Sequence, residues 1–327
     1  MENIGIYKSL VAQLDRLARH NRQGSYRTKE RYYEAEKRFC AFLAEEYRLQ
    51  KLANVSGKHL VSYVLFMQEQ GKSASTVKTE LAAIRFFHDK IENAKYRLPD
   101  NSELGIELER RSFGGVDRTW SETEFETMLD LALQGEREDY VLAFCLGRLA
   151  GLRIHECFRI DTAIAEKALR ENAITIKGKG GKIRTVPIEN ERITLMLRKR
   201  LAVTKRGHKL MVPDDIRTDV AITELQQFIA AHRYIIQDEE SDRPLTFHGL
   251  RHTYAVEKYK ALITAGKTDL DAHYEVSRLL GHERPDVTDI YLASLVGTGE
   301  RNQGGKTALC VDVEQPSGTP AYNVGTL

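Results

Sequence analysis

A chain of 327 residues with 42% hydrophobic residues is ordinary for a globular protein but too long for one typical core, which points to two domains. No apolar run approaches a membrane span, and Met1 to Val11 lacks the basic and apolar regions of a secretory signal, so a soluble, cytoplasmic protein is expected. The net charge of +2 decides nothing about nucleic acid, and the four cysteines (Cys40, Cys145, Cys157 and Cys310) form no Cys-x-x-Cys pair, which argues against structural zinc or a disulfide framework.

In chain order, residues 4–20 carry Ile6, Leu10, Leu14 and Leu17 at helical spacing. Ser25 and Thr28 can cap a second helix with Tyr32, Phe39, Phe42 and Leu43, ending near Leu49. Ser56 opens a third, with Gly71 as its stop, and Ser75 a fourth running through Val77, Leu81, Ile84, Phe87 and Ile91. No strand pattern precedes residue 100. The first 109 residues therefore read as a helical domain and residues 110–119 as a linker, since periodicity fades while Gly105, Gly114, Gly115 and the pair Arg110-Arg111 gather.

A capping-box pattern, Ser121-Glu-Thr-Glu124, starts a second domain spanning 120–295. Tyr140 to Leu149 is apolar enough for a buried helix and ends at Gly151-Leu-Arg153-Ile-His-Glu156. An arginine beside such a helix needs an anion, either Glu156 or an external phosphate. One hairpin is clear: Ala173–Lys177 and Ile183–Ile188 are β-rich runs joined by Gly178-Lys-Gly-Gly-Lys182. Its turn lacks the spacing of a phosphate-binding loop and no helix follows it, so ATP binding is rejected. Further helices are expected over Glu191–Thr204, about Asp219–Gln237 and Phe247–Ala265, then after Leu270, and finally across Val287, Ile290, Tyr291 and Leu295. The tail 296–327 has no core of its own; its one β-like run, Thr307–Val313, is either loose or docked on another protomer.

The second domain is organised by Thr246-Phe-His-Gly-Leu-Arg-His252, which sets His248 and Arg251 one helical turn apart on one face. An imidazole can exchange a proton near neutral pH and a guanidinium matches two phosphate oxygens, so the pair suits phosphoryl transfer. Alone, the same spacing also fits an exposed helix start. Basic residues gather around Arg27, Lys29 and Arg31 and again around Lys177, Lys182 and Arg184, as either DNA-facing surfaces or solvated helix faces. Together with Lys78, these are the candidate DNA contacts.

Gly151-Leu-Arg-Ile-His-Glu156, Gly178-Lys-Gly-Gly-Lys182, His248-Gly-Leu-Arg-His252, Leu280-Gly-His282 and Tyr291 occur in an order and spacing that resembles the tyrosine recombinase (phage integrase) family. The resemblance covers 118–295, and the helical first domain looks like the family's core-binding module. It implies a mainly α protein with a small β-hairpin in an α+β catalytic domain, the two domains closing as a clamp on duplex DNA. By motif it makes Arg153, Lys179, His248, Arg251 and His282 the phosphate-activating set, Glu156 a support for Arg153, and Tyr291 the nucleophile. Ala150 and His155 depart from the residues usual around the first arginine, and the stretch between Arg251 and His282 is longer than in compact members. The implied activity is site-specific cleavage and rejoining of DNA through a 3′-phosphotyrosine, without ATP, metal or other cofactor, by a homotetramer on short inverted core sites. A type IB topoisomerase-like nicking-closing enzyme and a catalytically idle DNA-binding accessory protein are the other readings.

Overall fold

A computed structural model of the chain describes residues 2–19, 21, 23–24, 26–109, 116–178, 181–237, 245–281, 288–292 and 295. Its chain forms two compact units, Met1–Ser112 and Phe113–Leu327. Lys179, His282, Cys310, Arg110, Arg111 and the tail 296–327 lie outside the described residues.

The first unit is helical. Helix α1 (Ile4–Arg19) buries Leu10 and Leu14 against α2 (Tyr26–Tyr47), whose Phe39, Cys40 and Leu43 are fully buried. Thr28 lies inside α2 rather than at its cap. A short 3-10 turn, Leu52–Asn54, which the periodicity does not foretell, leads to α3 (Gly57–Glu69). Ser56 opens α3 as expected, with His59 returning a capping contact to the Ser56 backbone at 3.0 Å. Helix α4 (Ala74–His88) is opened by Ser73 and not by Ser75, because Ser73 is the residue left in extended backbone and its hydroxyl accepts from the Thr76 amide. Buried Glu80 of α4 ties three helices together: it accepts from Arg38 of α2 at 2.5 Å and from the Tyr63 hydroxyl of α3 at 3.1 Å.

In the second unit, α5 (Glu122–Gln134) carries the expected capping box, with Ser121 and Glu124 bonding each other's backbone amides at 3.1 and 2.7 Å. Helix α6 (Glu138–Leu149) is buried almost all round. Its Arg148, only 4% exposed, is neutralised by Glu122 and Glu257. The single turn α7 (Ile154–Cys157) is followed by α8 (Thr162–Glu171), which the sequence pattern misses; Asp161 caps it by accepting from the Ile164 amide at 2.8 Å, and Asn172 ends it in the left-handed region. Strands β1 (Ala173–Lys177) and β2 (Ile183–Pro187) pair antiparallel with Thr175 opposite Thr185, and bury Ile174, Ile176 and Val186 on one face.

Helices α9 (Glu191–Val203), α10 (Thr218–Ile236), α11 (Phe247–Thr264), α12 (Asp269–Leu280) and the one-turn α13 (Thr288–Tyr291) complete the unit. Helix α11 packs on α6, α12 and α13, so its first turns lie at the centre of the second unit. Among the described residues no helix is long and apolar enough to cross a membrane.

The chain entering this unit crosses the start of α11 at Gly249. A Cβ there would stand 2.3 Å from the Arg118 carbonyl oxygen and 2.7 Å from the Trp120 ring nitrogen, which itself donates to the Thr246 carbonyl. Backbone cannot yield as a flexible side chain does, so Gly249→Ala is expected to destabilise the protein by about 1–3 kcal/mol. The urea-unfolding midpoint of the full chain measures this; an unchanged midpoint would show that the crossing relaxes freely.

Candidate active site

Among the described residues, Arg251 is the largest fully buried side chain. Thr246 starts α11 by capping the Gly249 amide, which places His248 in the first turn and Arg251 one turn on, facing inward. Two of the guanidinium nitrogens donate to backbone carbonyls, Nη1 to Gly151 after α6 and Nη2 to Leu280 at the end of α12. The third, Nε, faces the Tyr291 hydroxyl at 3.5 Å. Burial lowers the Arg251 pKa to about 10, which leaves it charged at neutral pH. Gly151 permits this approach: its φ is +62°, and a Cβ would lie 2.4 Å from the Tyr254 ring.

Arg153 stands at the start of α7, about one-fifth exposed, with its Nη1 on Glu156 Oε1 at 3.0 Å. Glu156 is wholly buried and shared. It also accepts both Arg184 Nη nitrogens at 2.7 Å and the Arg153 amide at 2.8 Å. Burial alone would raise this carboxyl, but the Arg184 hydrogen bonds and charge, with the Arg153 amide and charge, hold it at about 2. Arg184 is therefore placed by β2 inside the site, its two terminal nitrogens turned to Glu156, and not on the basic surface where the charge pattern puts it. Two guanidinium groups, those of Arg153 and Arg184, share one carboxylate, so this cluster keeps a net positive charge.

Around the phenol stand two imidazoles. The Tyr291 ring, 5% exposed, lies 5.5 Å from His248 and 4.5 Å from His252, centroid to centroid. His248 keeps an open edge, yet the surrounding protein, followed by the charges of Arg251, Arg153 and Arg118, lowers it to about 4. His252 is buried and lowered to about 3, first by desolvation and then by His248; a hydrogen bond to the Tyr291 backbone opposes the shift. Its Nδ1 is buried without a partner. Sequence reasoning gave His252 no role, although it stands in the same motif, because only the packing of α13 on α11 turns it toward the tyrosine.

The hairpin neck is closed by the Gly178 amide donating to the Lys182 carbonyl at 2.7 Å. Lys177 and Lys182 are exposed. In the first unit, Arg27 and Arg31 are exposed and Lys29 half-buried on α2; Arg31 bonds Thr79 at 3.3 Å, next to Lys78, whose ammonium donates to the Glu109 carbonyl at 2.6 Å. The basic residues of α2 and α4 thus adjoin.

Residues 119–297 match the phage integrase family, and residues 11–98 match the phage integrase N-terminal SAM-like domain. The tyrosine recombinase XerD of Halalkalibacterium halodurans is 24% identical over 265 residues, covering 78% of this chain and 83% of that protein. The tyrosine recombinase XerC of the same organism is 27% identical over 280 residues, covering 79% and 84%. Among solved structures, the Tn1549 transposon integrase in complex with circular intermediate DNA shares 18% identity and a TM-score of 0.55, over 88% of this chain and 94% of that one. A lambda integrase dimer bound to a COC′ core site shares 13% identity and a TM-score of 0.62, over 90% and 79%. These structural likenesses speak for the fold, while the catalytic-domain match takes in more than half of the 327 residues: the chain belongs to the phage integrase family.

Proposed function

We propose that Tyr291 is the nucleophile of this site-specific tyrosine recombinase and that Arg153, Arg251 and His248 serve the phosphate it attacks. The observation that carries the reading is the Tyr291 hydroxyl 3.5 Å from the buried Arg251 Nε, with Arg153 and His248 converging on the same place. Attack of the phenol oxygen on phosphorus forms a 3′-phosphotyrosine and breaks the bond to the 5′ oxygen; the reverse attack by a 5′ hydroxyl rejoins the strand. One phosphoester replaces another, so the exchange needs no nucleotide. Negative charge grows on the non-bridging oxygens, where the arginines and His282 act as donors; removing one such donor typically costs about 3–4 kcal/mol.

His248 takes the phenolic proton, and Lys179 on the hairpin turn gives one to the leaving 5′ oxygen. A phosphate seated among the arginines cancels the positive field that depresses His248, so the base strengthens when the substrate arrives. Basic residues of each unit, Arg27, Lys29, Arg31 and Lys78 in the first and Lys177 and Lys182 in the second, contact the backbone of duplex DNA at short inverted sites in the cytoplasm. Strands are exchanged in a homotetramer, and residues 296–327 link neighbouring protomers.

Tests use a duplex recovered by the purified protein from random-sequence DNA and nicked beside the cleavage point, so that the covalent product is trapped. Tyr291→Phe is expected to bind this duplex with unchanged affinity and to give no adduct on denaturing gels; an adduct that persists would move the nucleophile elsewhere.

Lys179→Ala should lose most cleavage of the ordinary duplex and regain it when sulfur replaces the 5′ leaving oxygen, because a thiolate leaves without a proton. Equal impairment on both substrates would remove Lys179 as the acid.

In the DNA-free protein, the His248 imidazole should stay neutral down to about pH 4, and with bound DNA its titration should move upward. Imidazole NMR shifts report both, and a titration near the free-histidine value without DNA would contradict the assigned field.

A further inference from the structure

The helix carrying Tyr291 is a single turn, too short to be held by its own hydrogen bonds. Its position is set by what it touches. On the α11 side, His252 bonds the Tyr291 backbone and Arg251 faces the phenol. On the α12 side, His273 Nε2 lies 3.2 Å from Asp289 Oδ1, two residues before the tyrosine. Residues two apart on a helix point about 200° apart, so these ties grip the turn from nearly opposite faces and together fix its rotation.

His273 is itself rigidly placed. It is buried, its Nδ1 donates to the Asp269 carbonyl at 2.9 Å and lies 3.2 Å from the Asp269 carboxylate, and its ring meets Tyr259 of α11 edge-on at 5.1 Å. The Tyr259 hydroxyl in turn donates to Asp269 at 2.5 Å. Both imidazole nitrogens of His273 face acceptor oxygens, Nδ1 those of Asp269 and Nε2 that of Asp289. The groups facing this ring are Asp269 from α12, Asp289 from α13 and Tyr259 from α11.

We propose that His273 is a positioning residue for the nucleophile, acting through Asp289 to hold the Tyr291 turn at the angle from which the phenol can attack. The inference rests on Tyr291 being the nucleophile. Neither His273 nor Asp289 touches the reacting atoms; the pair governs how often the hydroxyl lies in line with the phosphate, and a misplacement of about 1 Å can cost about a hundredfold in rate.

Asp289 makes a clean test because its side chain is 66% exposed, so its removal leaves the core intact. On the nicked duplex, Asp289→Ala is expected to form adduct about tenfold to a hundredfold more slowly at saturating DNA, with DNA affinity unchanged. Asp289→Glu, which keeps the carboxylate, should recover most of the rate. The double variant His273→Ala/Asp289→Ala should be no slower than His273→Ala alone. Cleavage by Asp289→Ala within about threefold of the unaltered protein, a loss confined to DNA affinity, a Glu variant as slow as the Ala variant, or additive losses in the double variant would each overturn the proposal. Tyr291→Phe separates the two levels: adduct surviving in that variant removes the nucleophile itself, whereas adduct lost there with normal cleavage by Asp289→Ala removes only the role of His273.

Discussion

Everything at this site depends on keeping one buried guanidinium charged. Removing Arg251 from water costs several kcal/mol unless its donors are satisfied, and two of its nitrogens are satisfied by the neutral carbonyls of Gly151 and Leu280. One of those carbonyls ends α12 and the other lies just beyond α6, positions where backbone oxygens lack helical partners and carry the negative end of the helix dipole. The arginine is thereby solvated by neutral backbone oxygens. Arg148 on α6, 4% exposed, makes the contrast: two carboxylates cancel its charge, and it joins α5, α6 and α11. The chemistry of its partners, not burial, separates a structural arginine from one with charge to offer.

That constraint explains why left-handed glycines frame the site. The two anchoring carbonyls sit at Gly151 and immediately before Gly281, where φ is +62° and +67°, and side chains crowd the space a Cβ would need at both positions. The turns that end α6 and α12 thus aim oxygens at Arg251 and clear room for Tyr254 and Arg184. Helix termination and site construction are one event here.

Much of the fold was legible in the sequence because amphipathic spacing and caps are local signals: Ser56, Ser121 and Thr246 each open a helix where the pattern requires it. Helix α8 escaped because its buried face is made of Thr162, Ala165 and Ala168, too weak an apolar stripe to register. Ser73 and Ser75 are equivalent in composition, and only backbone conformation chooses between them. In the site, residue types and spacing pointed to His248 and Arg251 and the family resemblance to Arg153 and Tyr291, whereas the partners were hidden because they join distant segments: Gly151 and Arg251 are 100 positions apart, Trp120 and Thr246 126. Arg184 was misplaced for the same reason. Its charge reads as surface until folding brings Glu156 to it.

The shared carboxylate of Glu156 joins the hairpin to the first arginine. Strand β2 carries Arg184 and is continuous with the lysine-bearing turn, while Arg153 depends on the same two oxygens. Glu156 is thus held from two sides, by β2 through Arg184 and by α7 through Arg153, so the strand's seating and the first arginine's ion pair rest on a single buried carboxylate.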